Sequence, residues 1–442
     1  MRNILVIGAG RSAGILIKYL LDNAQENNWL VTIADFSEEL AKKAVANNKN
    51  GKAIFLNVTD QKKREEEIGK ADIVVSMLPA SMHITVANDC VKLRKNMVTA
   101  SYVSNEIADL GESAKQAGVL LLNEMGLDPG IDHMSAMEVI DKIKKKGGKL
   151  TSFKSFCGGL IHPDFDNNPW NYKFTWNPRN VVLAGKGTAQ YIENGECKEI
   201  PYTKLFERTE TMTVLDAGEF EGYANRDSLS YRKAYDIENI PTLFRGTLRR
   251  KGFSKAWNIF VQLGMTDDSY KIENSEIISN RELVDIFLPK NDTLSTEEKL
   301  CKKFNLTTEG VIFKKLNWLG LFSNEKVGIQ NASPAQLLQA ILESKWTLGS
   351  EDKDLIVMQH QFEYVQNGEQ KKLNSSLLVF GYDPRYTAMA KTVGLPVAIA
   401  TKLILSGEIN SVGVKIPTTK DIYIPVLKEL SENGINFVEE LV

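Results

Sequence analysis

Along the first 130 residues, apolar positions follow two alternating patterns. Short unbroken runs occupy 4–8 (ILVIG), 29–35 (WLVTIAD), 52–58 (KAIFLNV), 71–78 (ADIVVSML), 96–103 (NMVTASYV) and 118–126 (GVLLLNEMG). Runs this short and this apolar predict strands buried on both faces. Helical periods separate them. Ile15, Leu16, Tyr19 and Leu20 share one face behind the first strand, and 81–93 (SMHITVANDCVKL) reads as another helix. Strands of this kind alternating with helices predict an α/β fold built on a doubly wound parallel sheet.

The pattern changes after about residue 150. Shorter strands and aromatic loops predict a mixed α/β domain. Asn194-Gly195 is a hairpin signal, as is Asn367-Gly368 between the alternating runs 355–365 and 371–380. From 265 to 350 charged helices dominate, with capping boxes predicted at Ser295 to Glu298 and Ser333 to Gln336. The expected division is 1–130 with 392–442, 131–264 with 351–391, and a small helical insert at 265–350. The apolar stretch 393–405 is expected to break at Gly394-Leu395-Pro396 and to pack back on the first domain. With Pro396 and Lys402 inside it, it is not expected to cross a membrane.

Composition narrows the field. A chain of 442 residues suggests two or three domains of ~100–200 residues each. Lys plus Arg number 54 against 56 Asp plus Glu, so no basic excess points to a nucleic-acid partner. The cysteines at 90, 157, 197 and 301 form no CxxC clip, which suits reduced thiols in the cytoplasm. The opening apolar run breaks at Gly8, short of the ~7–15 residues of a secretory h-region.

The first predicted turn carries Gly8-Ala9-Gly10-Arg11-Ser12-Ala13, a GxGxxA version of the dinucleotide fingerprint of Rossmann folds. Gly8 allows a tight turn, and Gly10 lets the backbone approach a pyrophosphate at a helix amino terminus. Asp35 ends the second strand, where a carboxylate can hydrogen-bond the adenosine ribose. A 2′-phosphate ~4 Å from that carboxylate would be repelled by about 4 kcal/mol per unit charge at an effective dielectric of ~20. Asp35 therefore favours NAD. Arg11, which can reach a phosphate, and Ala13 as the third small residue pull toward NADP. Ligands of such sheets bind beyond the carboxyl ends of the strands, where Met77-Leu78, Ser101-Tyr102 and Leu127-Asp128 fall.

The stretch 123–137 (NEMGLDPGIDHMSAM) gathers three acids, a His and a Pro-Gly pair before a helical period. Asp128 is a good N-cap, Pro129 suits the first helical position, and Ile131, Met134 and Ile140 can face a core. His133 lies near that apolar face and is expected to be a packing residue. No HxxxH or HxxE spacing supports a metal, so none is expected. Capping does not account for Gly130, which costs ~1 kcal/mol against Ala in a helical turn. A close backbone approach to something would.

NEMGLDPGIDH, SFCGGL (155–160), NPWNYKFTW (168–176), NRDS (225–228), RGTLR (245–249), NWLGLF (317–322) and TVGLPVAIATK (392–402) resemble the saccharopine dehydrogenase (glutamate-forming) family. The resemblance implies oxidation of an amino-acid secondary amine with hydride passing to NAD or NADP. Arg226 and Arg245 would grip substrate carboxylates, with Gly246, Thr247, Ser101 and Leu127 beside them. Tyr102, Asp128 and Cys157 would share the proton traffic, none singled out as sole base. The implied cofactor site extends to Ser12, Asn57, Val58, Met77, Leu78, Ser101 and Trp176. A homodimer is implied as well. Two other readings stay open: a carboxynorspermidine-type dehydrogenase and a non-catalytic NAD-binding regulator.

Overall fold

A computed structural model describes residues 1–184, 187–290 and 293–442. Its contacts divide into two compact units. The first is Met1–Lys149 with Val365–Glu369 and Leu377–Val438. The second is Leu150–Tyr364 with Gln370–Ser376 and Glu439–Val442.

The first unit contains the predicted parallel sheet. Strands β1 (Arg2–Ile7), β2 (Trp29–Asp35), β3 (Gly51–Phe55), β4 (Ile73–Ser76), β5 (Asn96–Val98) and β6 (Leu120–Leu122) are joined by Gly413–Lys415. Starting from Gly413–Lys415, the order runs β6, β5, β4, β1, β2, β3, and all pairings are parallel. The order reverses direction at β1, so the crevice for a ligand opens between β1 and β4. β5 and β6 are shorter than their apolar runs: regular strand ends at Val98 and Leu122, although Thr99 N–H still donates to the Leu122 carbonyl and Met125 N–H to the Thr99 carbonyl.

The first helix, α1 (Gly14–Asp22), buries Leu16, Ile17, Leu20 and Leu21. Its face is rotated from the expected one because the Tyr19 hydroxyl is drawn to Glu429. The helix Ala388–Ser406 runs unbroken through Pro396, against expectation. The reason lies at Gly394. A Cβ there would stand 3.0 Å from the Ser12 carbonyl and 3.1 Å from Leu16, so the glycine marks close packing on α1 rather than a break. This helix is long and apolar enough to cross a membrane, but 83% of its apolar window is buried inside the fold.

The expected domain boundaries shift. Helix Ile131–Lys145 belongs to the first unit, where Asp141 accepts from the Tyr423 hydroxyl at 2.6 Å and pairs with Lys420. The 265–350 helices belong to the second unit and form no unit of their own. They share its core: Trp170 donates its indole N–H to the Lys315 carbonyl and meets Trp346 edge-on at 5.2 Å. Both predicted capping boxes are present, with a third at Ser279 and Glu282.

The second sheet has nine strands among the described residues. Thr242–Arg250 lies parallel to Lys149–Ile161 and antiparallel to Glu219–Ala224. Both expected hairpins form. Asn194 and Gly195 take φ of 51° and 84°, and Asn367 and Gly368 take 53° and 82°, the pair of positive values a type I′ turn needs.

Candidate active site

In the first unit, β1 delivers the chain into the fingerprint turn. Gly8 has φ 107°, and a Cβ on it would lie 2.7 Å from the Met77 carbonyl at the end of β4. Sterically, only glycine fits. Gly10 differs. It is exposed, extended, and has no atom within 4 Å of where a Cβ would stand. Open space at a helix amino terminus is what a pyrophosphate requires. Ala13 is buried beneath the turn, Ser12 half-buried, Arg11 exposed.

Asp35 is tied down at both oxygens. Oδ2 accepts the Ala9 N–H and Oδ1 the Ser37 N–H, each at 2.7 Å. The carboxylate thus clamps the fingerprint turn to the start of helix α2 (Glu38–Val45), which Ser37 caps. Asn57 caps its own turn through Thr59, and Val58 is buried in the core beneath. Met77 and Leu78 are half-buried. These positions together fit a nicotinamide dinucleotide, which would supply the hydride acceptor.

The ends of β5 and β6 carry the remaining candidates. The Tyr102 hydroxyl donates to Asp128 Oδ1 at 3.3 Å, so two of the three predicted proton carriers are in contact, each half-buried. Ser101 accompanies them, its hydroxyl 2.7 Å from His83 Nε2, while His83 Nδ1 lies 2.8 Å from the Ser76 hydroxyl. Burial of His83 holds its pKa down to about 4, which keeps the ring neutral at ordinary pH. Leu127 is buried below.

Asp128 is not the helix N-cap expected of it. The helix starts at Ile131 with Gly130 as its cap at φ 143°, after a cis Asp128–Pro129 peptide. The reason is a backbone knot. Gly126 N–H donates to the Pro129 carbonyl, and Ile131 N–H returns to the Gly126 carbonyl, both at 2.9 Å. A Cβ on Gly130 would fall 2.1 Å from that carbonyl oxygen. The close approach inferred at Gly130 is real, but its partner is the chain itself. The Asp128 side chain accepts from the Tyr102 hydroxyl. Asp132 takes over locally by accepting the Gly130 N–H at 2.6 Å.

The second unit gathers the other group. Arg245 and Ser155 are register partners, as are Thr247 and Cys157. Residues two apart on a strand share a face, so Arg245, Thr247 and Cys157 leave the sheet on the same side. Arg245 is buried, with its guanidinium 4.0 Å over the Tyr231 ring. Cys157 is buried and forms no disulfide. Gly246 points the other way, and packing explains it: a Cβ would meet the Phe156 ring at 2.6 Å. Arg226 is exposed with φ 49°, its carbonyl held by the Gln190 N–H. Trp176 is half-buried, while Trp170, Tyr172 and Phe174 are core. Among the described residues no three His, Cys, Asp or Glu side chains are grouped to hold a metal.

Sequence reasoning passed over His83, Glu124 and Asp132. A His opening a helix after a crevice strand, between serines at both neighbouring strand ends, was the available signal for the first. Glu124 sits inside a stretch singled out for other residues.

Residues 4–122 match the family described as saccharopine dehydrogenase NADP binding domain, and 126–435 its C-terminal domain. Saccharopine dehydrogenase [NADP(+), L-glutamate-forming] of Schizosaccharomyces pombe is 34% identical over 100% of this chain and 99% of its own length. Mitochondrial alpha-aminoadipic semialdehyde synthase of Mus musculus is 36% identical over 99% of this chain, which spans 47% of that protein. The apo saccharopine dehydrogenase (L-Glu forming) structure from Saccharomyces cerevisiae superposes with a TM-score of 0.90 at 33% identity, with both chains fully covered.

Proposed function

We propose that this chain, which belongs to the saccharopine dehydrogenase family, interconverts saccharopine with L-glutamate and 2-aminoadipate 6-semialdehyde. In the oxidative direction the C–H bond at the lysine-derived carbon of the secondary amine breaks and its hydride leaves to the nicotinamide. Loss of the amine proton leaves a C=N bond. Water adds to that carbon, and the C–N bond then breaks to give the aldehyde and the amino group of glutamate. One proton must leave the amine and another must reach the departing nitrogen, so a carrier that works in both directions is needed.

The contact between Tyr102 and Asp128 carries this reading. A phenol donating to a carboxylate is a two-member proton path: Asp128 accepts, and the Tyr102 hydroxyl both donates and accepts. Ser101, oriented by neutral His83, adds a hydroxyl beside them. In the second unit, Arg226 and Arg245 supply cations for a substrate with three carboxylates, at ~1.5–3 kcal/mol per charged hydrogen bond. Thr247 and Cys157 line the same sheet face as Arg245.

For the cofactor, we propose NAD over NADP. The matched domain and the fungal relatives carry NADP in their names. The residues of this chain argue otherwise. Asp35 is fixed in the turn by two backbone donors, and the next five residues, Phe36 to Leu40, hold two acids and no cation. Arg11 is the one basic side chain in the fingerprint turn. The homodimer implied by the resemblance belongs to this reading, and light scattering would then give twice the 49.4 kDa chain mass.

Initial rates of saccharopine oxidation with NAD and NADP, read by nicotinamide absorbance, test the proposal. Turnover should prefer NAD, and Asp35→Ala should reduce that preference at least about tenfold. Preference for NADP by the wild type would overturn the cofactor choice. No turnover with either would overturn the reaction.

A further inference from the structure

Glu124 and His133 belong to the stretch that gives the site its proton carriers, yet neither touches those carriers in any step above. Both are buried, Glu124 at 7% exposure and His133 at 0%. Burying a carboxylate is costly unless it is fully engaged, and Glu124 is engaged in a particular way. Its N–H donates to the Ser101 carbonyl at 3.0 Å. Its Oε1 accepts the Val103 N–H at 3.1 Å. One residue therefore holds the chain on both sides of Tyr102. The other oxygen, Oε2, accepts from His133 Nε2 at 2.7 Å. His133 stands on the helix that begins directly after Asp128. Glu124 itself is held at φ 59°, a left-handed conformation that costs a non-glycine side chain energy and needs surrounding contacts to persist.

These contacts close a ring. Tyr102 reaches Asp128 through its hydroxyl, and the backbone of Tyr102 returns to the helix behind Asp128 through Glu124 and His133. We infer that Glu124 and His133 are positioning residues that set the distance and angle of the Tyr102–Asp128 pair. A longer or misaligned hydrogen bond transfers a proton poorly, and small misplacements at a reacting centre carry large rate penalties. A residue that only filled the core would show a different pattern, because it would affect folding and cofactor binding along with rate. The inference rests on Tyr102 and Asp128 being the proton carriers.

His133→Leu and His133→Gln separate the outcomes. Glutamine keeps an N–H near the place of Nε2, whereas leucine keeps only bulk. His133→Leu should lower kcat for saccharopine oxidation about 30-fold, or ~2 kcal/mol, with the cofactor dissociation constant unchanged. His133→Gln should restore most of that loss. In a Tyr102→Phe background the leucine change should cost almost nothing further, because the group it positions is gone. Tyrosine-labelled NMR gives a readout that needs no turnover. The Tyr102 resonance, assigned by its absence in Tyr102→Phe, should move in His133→Leu and stay in His133→Gln. Wild-type kcat in a folded His133→Leu protein, or equal losses from Leu and Gln, would overturn the inference. So would full additivity with Tyr102→Phe, or an unmoved Tyr102 signal. If wild-type protein fails to oxidise saccharopine while the resonance behaves as expected, the reaction assignment falls and the positioning role stands.

Discussion

Two glycine turns of the first unit look alike in sequence and are built on opposite plans. The Gly8 to Ala13 turn ends open: nothing lies within 4 Å of where a Gly10 Cβ would stand. The Gly126 to Asp132 turn is closed upon itself: a Cβ on Gly130 would fall 2.1 Å from the Gly126 carbonyl oxygen. In the first, the missing side chain leaves room for a ligand. In the second, it leaves room for the protein, and that room allows Asp128 to project toward Tyr102. A glycine that a helix would rather not have thus signals a close approach without saying whose.

The sharpest way to break the comparison is Gly130→Ala. The new Cβ would strike backbone, which cannot swing aside, and φ 143° is forbidden to alanine. Destabilisation of about 4 kcal/mol or more is expected, read as a fall in the urea midpoint or as loss of folded protein. A normal midpoint would mean the knot is looser than described.

Next in size is a pH effect on the polar chain behind the open turn. Burial holds His83 at about 4 against an ordinary 6.5, so between those values the unfolded chain takes up a proton that the folded protein refuses. Stability should therefore be unaffected by this group above pH 6.5 and should fall on acidification toward pH 4. The loss is at most ~3 kcal/mol at 1.36 kcal/mol per unit. His83→Gln should flatten this part of the stability curve measured by denaturant titration. Parallel curves for the two proteins would remove His83 from the account.

The smallest effect sharpens the contrast most. Gly10→Ala should fold and melt like the wild type, since the space is empty, yet bind cofactor about tenfold more weakly, ~1.4 kcal/mol, because the methyl takes the pyrophosphate's place. Equal binding by the two proteins would assign that open space to something else.

Much of this was legible from periodicity. The strands before Asp128 read as apolar runs, buried throughout in β4 and β6 and exposed at Lys52 and Phe55 where β3 forms the sheet edge, and the hairpins follow from Asn-Gly at positions that need two positive φ values. The Tyr102–Asp128 contact was anticipated only as common membership of a site. What escaped were features set by contacts distant along the chain. Gly394 reads as a break locally, whereas its cause is the Ser12 carbonyl. Helices 265–350 read as separate by their charge, whereas Trp346 ties them to Trp170. His83 has only a weak local signal, its place at a helix start after a crevice strand, and becomes distinct from a core histidine once Ser76 and Ser101 stand at its two nitrogens.

The division of labour between the two turns is tested most directly by Asp128→Asn, measured for cofactor affinity and for saccharopine turnover in the same preparation. The open turn should bind the cofactor as before. Turnover should fall ~100-fold or more, since an amide cannot accept the proton a carboxylate accepts. Retained turnover would contradict the assignment of chemistry to the closed turn, and lost cofactor binding would contradict the separation of the two.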